Sequence, residues 1–329
     1  MKSQLILATI MVLCVAGVFS GQAKAEDSLV YVSFITGVTS GGTNIYEITP
    51  GGQKIIGTLG NGGGGPVAVD AQENVYIVQA DIGSNGYQID SAIYQYARGS
   101  KTGKLLFTAN NLGAEAMTIT SDGTVYMAGQ IPQSNYFSVV KFAPPSYTPD
   151  VLRTAQNPRY PTGIAVDTSG NVFVSWSVSV DGGYPACSSG CIEELPAGQN
   201  KWIVRLPNLA ANEIAAGPVA TTDGSLIFWT GNNPFFNYIE TVAKGSNYPS
   251  GVAQFTPTVC SSYCPNAAMA FNAAGNELWT TNWGFTAAIG TEVVAVDYPS
   301  GKVALKFSVN KPSDLVFISG IAVSPAYIP

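Results

Sequence analysis

Gly163-Ile164-Ala165-Val166-Asp167 is followed by Thr168-Ser169-Gly170 and then by Asn171-Val172-Phe173-Val174-Ser175. Two short β-branched and aromatic runs flank a Gly-containing turn, the pattern of a β-hairpin. The pattern recurs. Gly65-Pro66-Val67-Ala68-Val69-Asp70 leads into Asn74–Val78, and Ala116–Thr120 leads into Thr124–Met127. Gly217–Thr221 leads into Ser225–Trp229, Ala268–Asn272 leads into Asn276–Trp279, and a sixth copy, Gly320–Ser324, stands near the C-terminus. Anchored on Val67, Met117, Ile164, Val219, Met269 and Ile321, the copies recur every 47 to 55 residues. A period of this size filled with short strands predicts an all-β fold, a β-propeller.

The sixth copy has no following strand pair, and Ser28-Leu29-Val30-Tyr31-Val32 has the character of a second strand. The expected solution is a six-bladed β-propeller of four-stranded blades. Its ring is closed by pairing the N-terminal strands with the C-terminal inner strand, which satisfies backbone groups that an open ring would leave bare. Third strands are expected at Asn44–Ile48, Ala92–Tyr96, Ser138–Phe142, Cys191–Leu195, Val252–Phe255 and Val293–Val296. Asp70, Asp167 and Asn272 recur before the turn, and Thr120, Thr222 and Ser324 hold the same slot. Side chains of these types bond turn backbone, so the slot reads as structural.

Residues 1–25 read as a signal peptide: Lys2, an apolar run from Leu5 to Phe19, and Ala23-Lys24-Ala25 as a small-x-small cleavage site. The expected product, residues 26–329, is a single propeller domain, secreted to an extracellular or periplasmic space, with no membrane insertion after cleavage. Loss of Lys2 and Lys24 leaves 13 basic against 21 acidic residues, a net charge of −8. That argues against nucleic acid as a partner. A monomer is expected.

Four cysteines remain, as Cys187 with Cys191 and Cys260 with Cys264, each pair spaced C-x3-C. A four-thiolate zinc site is one reading. Two local disulfides in an oxidising compartment are the simpler one. The chain contains no histidine. This removes Ser–His–Asp hydrolysis and His-ligated zinc. The run Gly60–Gly65 opens a strand rather than a helix and has no following Lys, so it is not a phosphate loop.

The stretches Pro161–Asp167 with Gly170–Val174, and Gly65–Asp70, resemble the NHL repeat and the wider class of gluconolactonase-like, strictosidine-synthase-like and streptogramin-lyase-like six-bladed propellers. The resemblance spans the predicted mature chain and implies the fold. The streptogramin-lyase-like and paraoxonase-like activities rest on histidines. Gluconolactonase-like members hold a divalent metal with a Glu just before the first inner strand, where this chain has Gly64.

In a propeller, loops entering the inner strands and leaving the second strands form one mouth of the central channel, where residues from different blades converge. The candidate ligand-binding set at this mouth is Gln79, Asp81, Glu115, Gln130, Tyr160, Trp176, Glu213, Asn232, Asn282 and Trp283. Amides and aromatic rings suit a sugar or another polar organic ligand. Glu115, Glu213, Asp81 and Asn282 would alternatively ligate Ca²⁺ through oxygen. No catalytic residue is assigned, and an enzyme is the less favoured reading. The leading expectation is a non-catalytic scaffold that binds a protein or glycan at the channel mouth or loops. A metal-dependent lactonase or hydrolase and a purely structural surface module are the alternatives. The aromatic stretch Asn232–Tyr238 marks a candidate protein contact.

Overall fold

The computed structural model describes residues 29–36, 44–49, 52–58, 64–82, 88–134, 136–156, 159–178, 191–206, 213–221, 225–232, 238–242, 268–282, 291–309 and 316–324. The signal-peptide region 1–25 lies outside them, as do Cys187, Cys260, Cys264 and Trp283. Among the described residues every element is a strand.

The first antiparallel sheet joins β1 (Leu29–Thr36), β2 (Asn44–Thr49) and β3 (Gly52–Thr58) to the last strand, β23 (Val316–Ser324). The second contains β4 (Gly64–Val69), β5 (Val75–Ile82), β6 (Gln88–Tyr96) and β7 (Lys104–Asn110). The third contains β8 (Gly113–Ile119), β9 (Val125–Gln130), β10 (Tyr136–Ala143) and β11 (Thr148–Gln156). The fourth contains β12 (Arg159–Val166), β13 (Val172–Val178), β14 (Cys191–Leu195) and β15 (Ile203–Leu206). Described strands of the fifth are β16 (Glu213–Ala220), β17 (Leu226–Asn232) and β18 (Tyr238–Val242). The sixth contains β19 (Met269–Phe271), β20 (Glu277–Asn282), β21 (Thr291–Asp297) and β22 (Val303–Val309). The arrangement is a β-propeller of four-stranded blades. Val30 faces Val323 and Val32 faces Ile321, so chain segments from opposite ends share one sheet.

The repeated Gly-Ile-Ala-Val-type segments are β4, β8, β12, β16, β19 and β23, and each forms one edge of its sheet. These edges touch in sequence, from β4 through β8, β12, β16 and β19 to β23, and β23 touches β4. The approach at that last contact is close. A Cβ on Gly320 would lie 2.6 Å from the Val67 amide nitrogen, so only glycine fits. Serines tie adjacent blades together. Ser33 Oγ donates to the Gly65 carbonyl at 2.6 Å. Ser91 Oγ donates to the Leu112 carbonyl at 2.6 Å and accepts from the Ala114 amide at 2.9 Å.

The interblade core follows the strand alternation. Ile93, Leu112 and Met127 meet in one cluster between the second and third sheets. Ala116, Phe137, Val139, Val174, Trp176 and Cys191 meet in another between the third and fourth. Charge also crosses this second seam. Arg153 on β11 pairs with Glu193 on β14 at 2.8 Å, with Glu193 almost fully buried. The Trp202 ring lies 5.8 Å from the Arg153 guanidinium and donates its indole N–H to the Leu152 carbonyl at 2.9 Å. Within the fourth blade, buried Glu194 pairs with Arg205.

The turn slot is structural in the blades where it is described. Asp70 accepts from the amides of Gln72 and Asn74, from Asn74 Nδ2 and from the Tyr76 hydroxyl, all at 2.8–2.9 Å. Burial and that bond to Asp70 push the Tyr76 hydroxyl far above its usual range. Asp167 repeats the arrangement with Ser169 and Asn171, and Asn272 with Asn276 and Glu277. In the fifth blade the slot falls on Thr221 rather than Thr222: Thr221 both donates from its amide and bonds through Oγ1 to the Ser225 carbonyl. The repeat is one residue shorter there than simple spacing implies. The third strand of that blade is β18, not Val252–Phe255, which lies outside the described residues. Tyr238-Ile239-Glu240-Thr241-Val242 has the aromatic and β-branched composition of a strand and pairs Ile239 with Trp229. Tyr238 therefore belongs to the sheet rather than to an inserted contact loop.

Candidate functional site

Inner strands begin, and second strands end, at one face of the propeller. The registers show this directly: Gly64 faces Gln79, Gly113 faces Gln130, Pro161 faces Trp176 and Glu213 faces Asn232. Candidate residues from several blades thus share one end. They stand on strands, however, not in loops, because the strands run further toward this face than the apolar pattern suggested. Asp81, Tyr160, Glu213, Asn232 and Asn282 are placed here by their backbone, in β5, β12, β16, β17 and β20. Gln79 is half-buried in β5. Gln130 closes its own hairpin, its Nε2 donating to the Ser134 carbonyl at 3.4 Å.

Trp176 requires a correction. It is 0% exposed and packs in the interblade core with Phe137, Val174 and Cys191. Its partner position on β12 is Pro161, and the ring fills the space between blades instead of facing the mouth. Among the described residues its indole nitrogen has no hydrogen-bond partner. Cys191 opens β14 in the same cluster.

Glu115 is the candidate that the structure sets apart. It is the extra residue of a β-bulge, since the β8–β9 register passes from Ala114–Gly129 directly to Ala116–Ala128. A bulge re-aims one side chain out of the alternation. Gly129 makes this bulge possible, because a Cβ there would collide with the Gly113 carbonyl. Ala114 and Ala116 are buried while Glu115 is exposed. The faces of β8 pack on β4 and β12, and its outer edge pairs with β9, so the direction left open is the propeller axis. The carboxyl is wet, yet protein surrounds it closely, and the resulting desolvation raises its pKa above the ordinary glutamate value. Water at its exposed surface moderates that rise. Bulges recur in the first half of β4, β12 and β23, and β16 has one in its second half.

From the level of Met117 toward the hairpin turns, the inner strands enclose a cavity of about 500 Å³. Apolar residues from six inner strands line it, among them Val67, Met117, Ile164, Val219, Met269 and Ile321. Its far rim carries Thr120, Asp122 and Thr168. A hydrogen bond from Thr120 at 2.6 Å holds the Asp122 carboxyl below its usual range. This cavity faces the hairpin-turn end, opposite the mouth that sequence reasoning favoured. The inner-strand apolar residues that signalled core also wall the channel, a double use that a hydropathy pattern does not distinguish. Among the described residues no three or more Asp, Glu, Cys or His side chains gather as a metal-holding group.

No family model matches the sequence, and no curated protein does. Solved structures are similar in fold. The TolB structure from Acinetobacter baumannii superposes with a TM-score of 0.64 at 9% identity, over 92% of this chain and 67% of that one. A protein of unknown function from Bacteroides caccae gives 0.59 at 14% identity, over 90% of this chain and 98% of that one. A putative TolB from Agrobacterium tumefaciens gives 0.54 at 10% identity, over 85% and 90%. At these identities the likeness defines a β-propeller protein and carries no activity across.

Proposed function

We propose that this chain is a secreted, six-bladed, NHL-like propeller that acts as a non-catalytic binding scaffold. The observation that carries the reading is the axial channel. Inner edges from all six sheets surround it, one end bears polar residues from several blades, and its interior is a preformed cavity with apolar inner-strand walls and a polar rim that includes Thr120 and Asp122. Preformed apolar concavities with a few convergent polar groups are where ligands bind. In this reading the six sheets are the complete ring, closed by the β1–β23 pairing. Residues 1–25 leave as a signal peptide, and Cys187–Cys191 and Cys260–Cys264 form local disulfides. The mature protein works as a monomer on a protein or glycan at the mouth. The propeller fold shared with the TolB structures is compatible with an interaction role.

The test is a glycan array probed with residues 26–329, run beside thermal unfolding in EDTA and in excess Ca²⁺. Saturable glycan binding with an unchanged midpoint supports the scaffold. A Ca²⁺-dependent rise of the midpoint, abolished by Glu115→Gln, Glu213→Gln or Asp81→Asn, replaces it with the metal-dependent hydrolase.

A further inference from the structure

The six inner strands carry three charged residues: Glu115, Arg159 and Glu213. Arg159 and Glu213 open β12 and β16 at the mouth. Glu115 lies deeper, level with Thr162, the bulged residue of β12. The corresponding bulges of β4 and β23 fall at Gly65-Pro66 and Ser319, so no second ionisable residue type occupies this level of those strands. Glu115 makes no hydrogen bond or ion pair among the described residues, and its raised pKa has desolvation as its only cause.

A wet carboxylate without a protein partner, turned toward the channel axis by a bulge, is open to a ligand group. Two residues further along the same strand, about 7 Å at strand rise, Met117 begins the apolar wall of the cavity. The channel therefore presents Glu115 on the mouth side of a chamber whose inner-strand walls are apolar and whose far rim carries Asp122 and Asp167, within an acidic protein of net charge −6.

From this juxtaposition we infer that the channel binds an organic ammonium ligand, with its cationic head at Glu115 and its hydrocarbon tail in the cavity. The inference rests on the channel-binding reading above and names the ligand's chemistry. A cation supplies the partner that Glu115 lacks, while the tail displaces water from Met117, Ile164, Val219 and Met269. A neutral ligand would satisfy the cavity but leave the carboxylate unpaired. An anion would be repelled by it.

The experiment measures binding of hexylammonium, hexanol and hexanoate to residues 26–329 by calorimetry at neutral pH and fixed ionic strength. Hexylammonium is expected to bind at least about tenfold more tightly than hexanol, and hexanoate more weakly than either. Glu115→Gln, a near-isosteric change at an exposed side chain, should abolish the preference for ammonium over alcohol while leaving hexanol affinity unchanged. Equal affinity for hexylammonium and hexanol in the parent overturns the inference and leaves a channel that binds neutral ligands. Failure of all three probes overturns it together with the small-ligand use of the channel, and glycan binding at the mouth then stands or falls on the array.

Discussion

Replacing Arg153 by Ala should uncouple two blades at a definable cost. Arg153 extends from the outer strand of the third sheet to Glu193, whose side chain is 4% exposed. Its own side chain is 29% exposed, so it loses less hydration than its partner. Removing one member of a buried pair costs about 3–5 kcal/mol. The partial exposure of Arg153 puts the expected value at the lower end, about 3 kcal/mol. Some of this is packing, because the guanidinium also lies against Trp202. Arg153→Met keeps most of the stem and separates the two contributions. With unfolding entropy of about 2 cal/mol/K per residue, a loss of about 3 kcal/mol in a domain of this length lowers Tm by roughly 5 °C. Urea unfolding followed by tryptophan fluorescence gives the free energies, and Trp202 places a fluorophore at the seam. A double-mutant cycle of Arg153→Met with Glu193→Gln should return a coupling of about 1–3 kcal/mol. A coupling below about 0.5 kcal/mol, the value of a surface pair, would refute the idea that this buried contact joins the blades.

Glu115→Gln should stabilise the free protein in a pH-dependent way. Glu115 has a folded pKa above its unfolded value, so its protonated form favours folding. Its contribution is complete below the ordinary carboxylate pKa and is lost as pH rises through the folded value. The Tm advantage of Glu115→Gln should therefore appear at neutral pH and vanish under acid; an advantage that does not vary with pH would exclude desolvation of this carboxyl. Ser91→Ala removes two interblade hydrogen bonds at a fully buried site and should cost about 1–3 kcal/mol by urea unfolding, without changing the far-ultraviolet circular dichroism. Gly320→Ala drives a methyl against the Val67 backbone and should cost at least about 1–3 kcal/mol, whereas Gly198→Ala, which meets no neighbouring atom, should show only the smaller strain of a positive-φ turn. Asp70→Ala strips four hydrogen bonds from a turn and should destabilise by about 2–3 kcal/mol, with Asp167→Ala behaving alike in its own blade.

The sequence by itself determined the strand order within blades and the repeat that sets them side by side. The apolar run, turn and apolar run of Ile164–Ser175 need no distant contact to be read, because alternation and turn chemistry are local. The role of Asp70, Asp167 and Asn272 was equally local, since each bonds backbone within five residues. Where local composition misled, the tertiary structure decided. Tyr238–Val242 became a strand because β17 offered it an edge. Trp176 went into the seam because the neighbouring blade covers its face of β13, which residue type alone cannot reveal. The isolation of Glu115 was the least legible feature. Its aim depends on a bulge permitted by Gly129 in another strand, and its lack of a partner depends on residues that three other blades bring to the same level. Periodicity reports which residues share a face; only the closed packing of the sheets decides what that face meets.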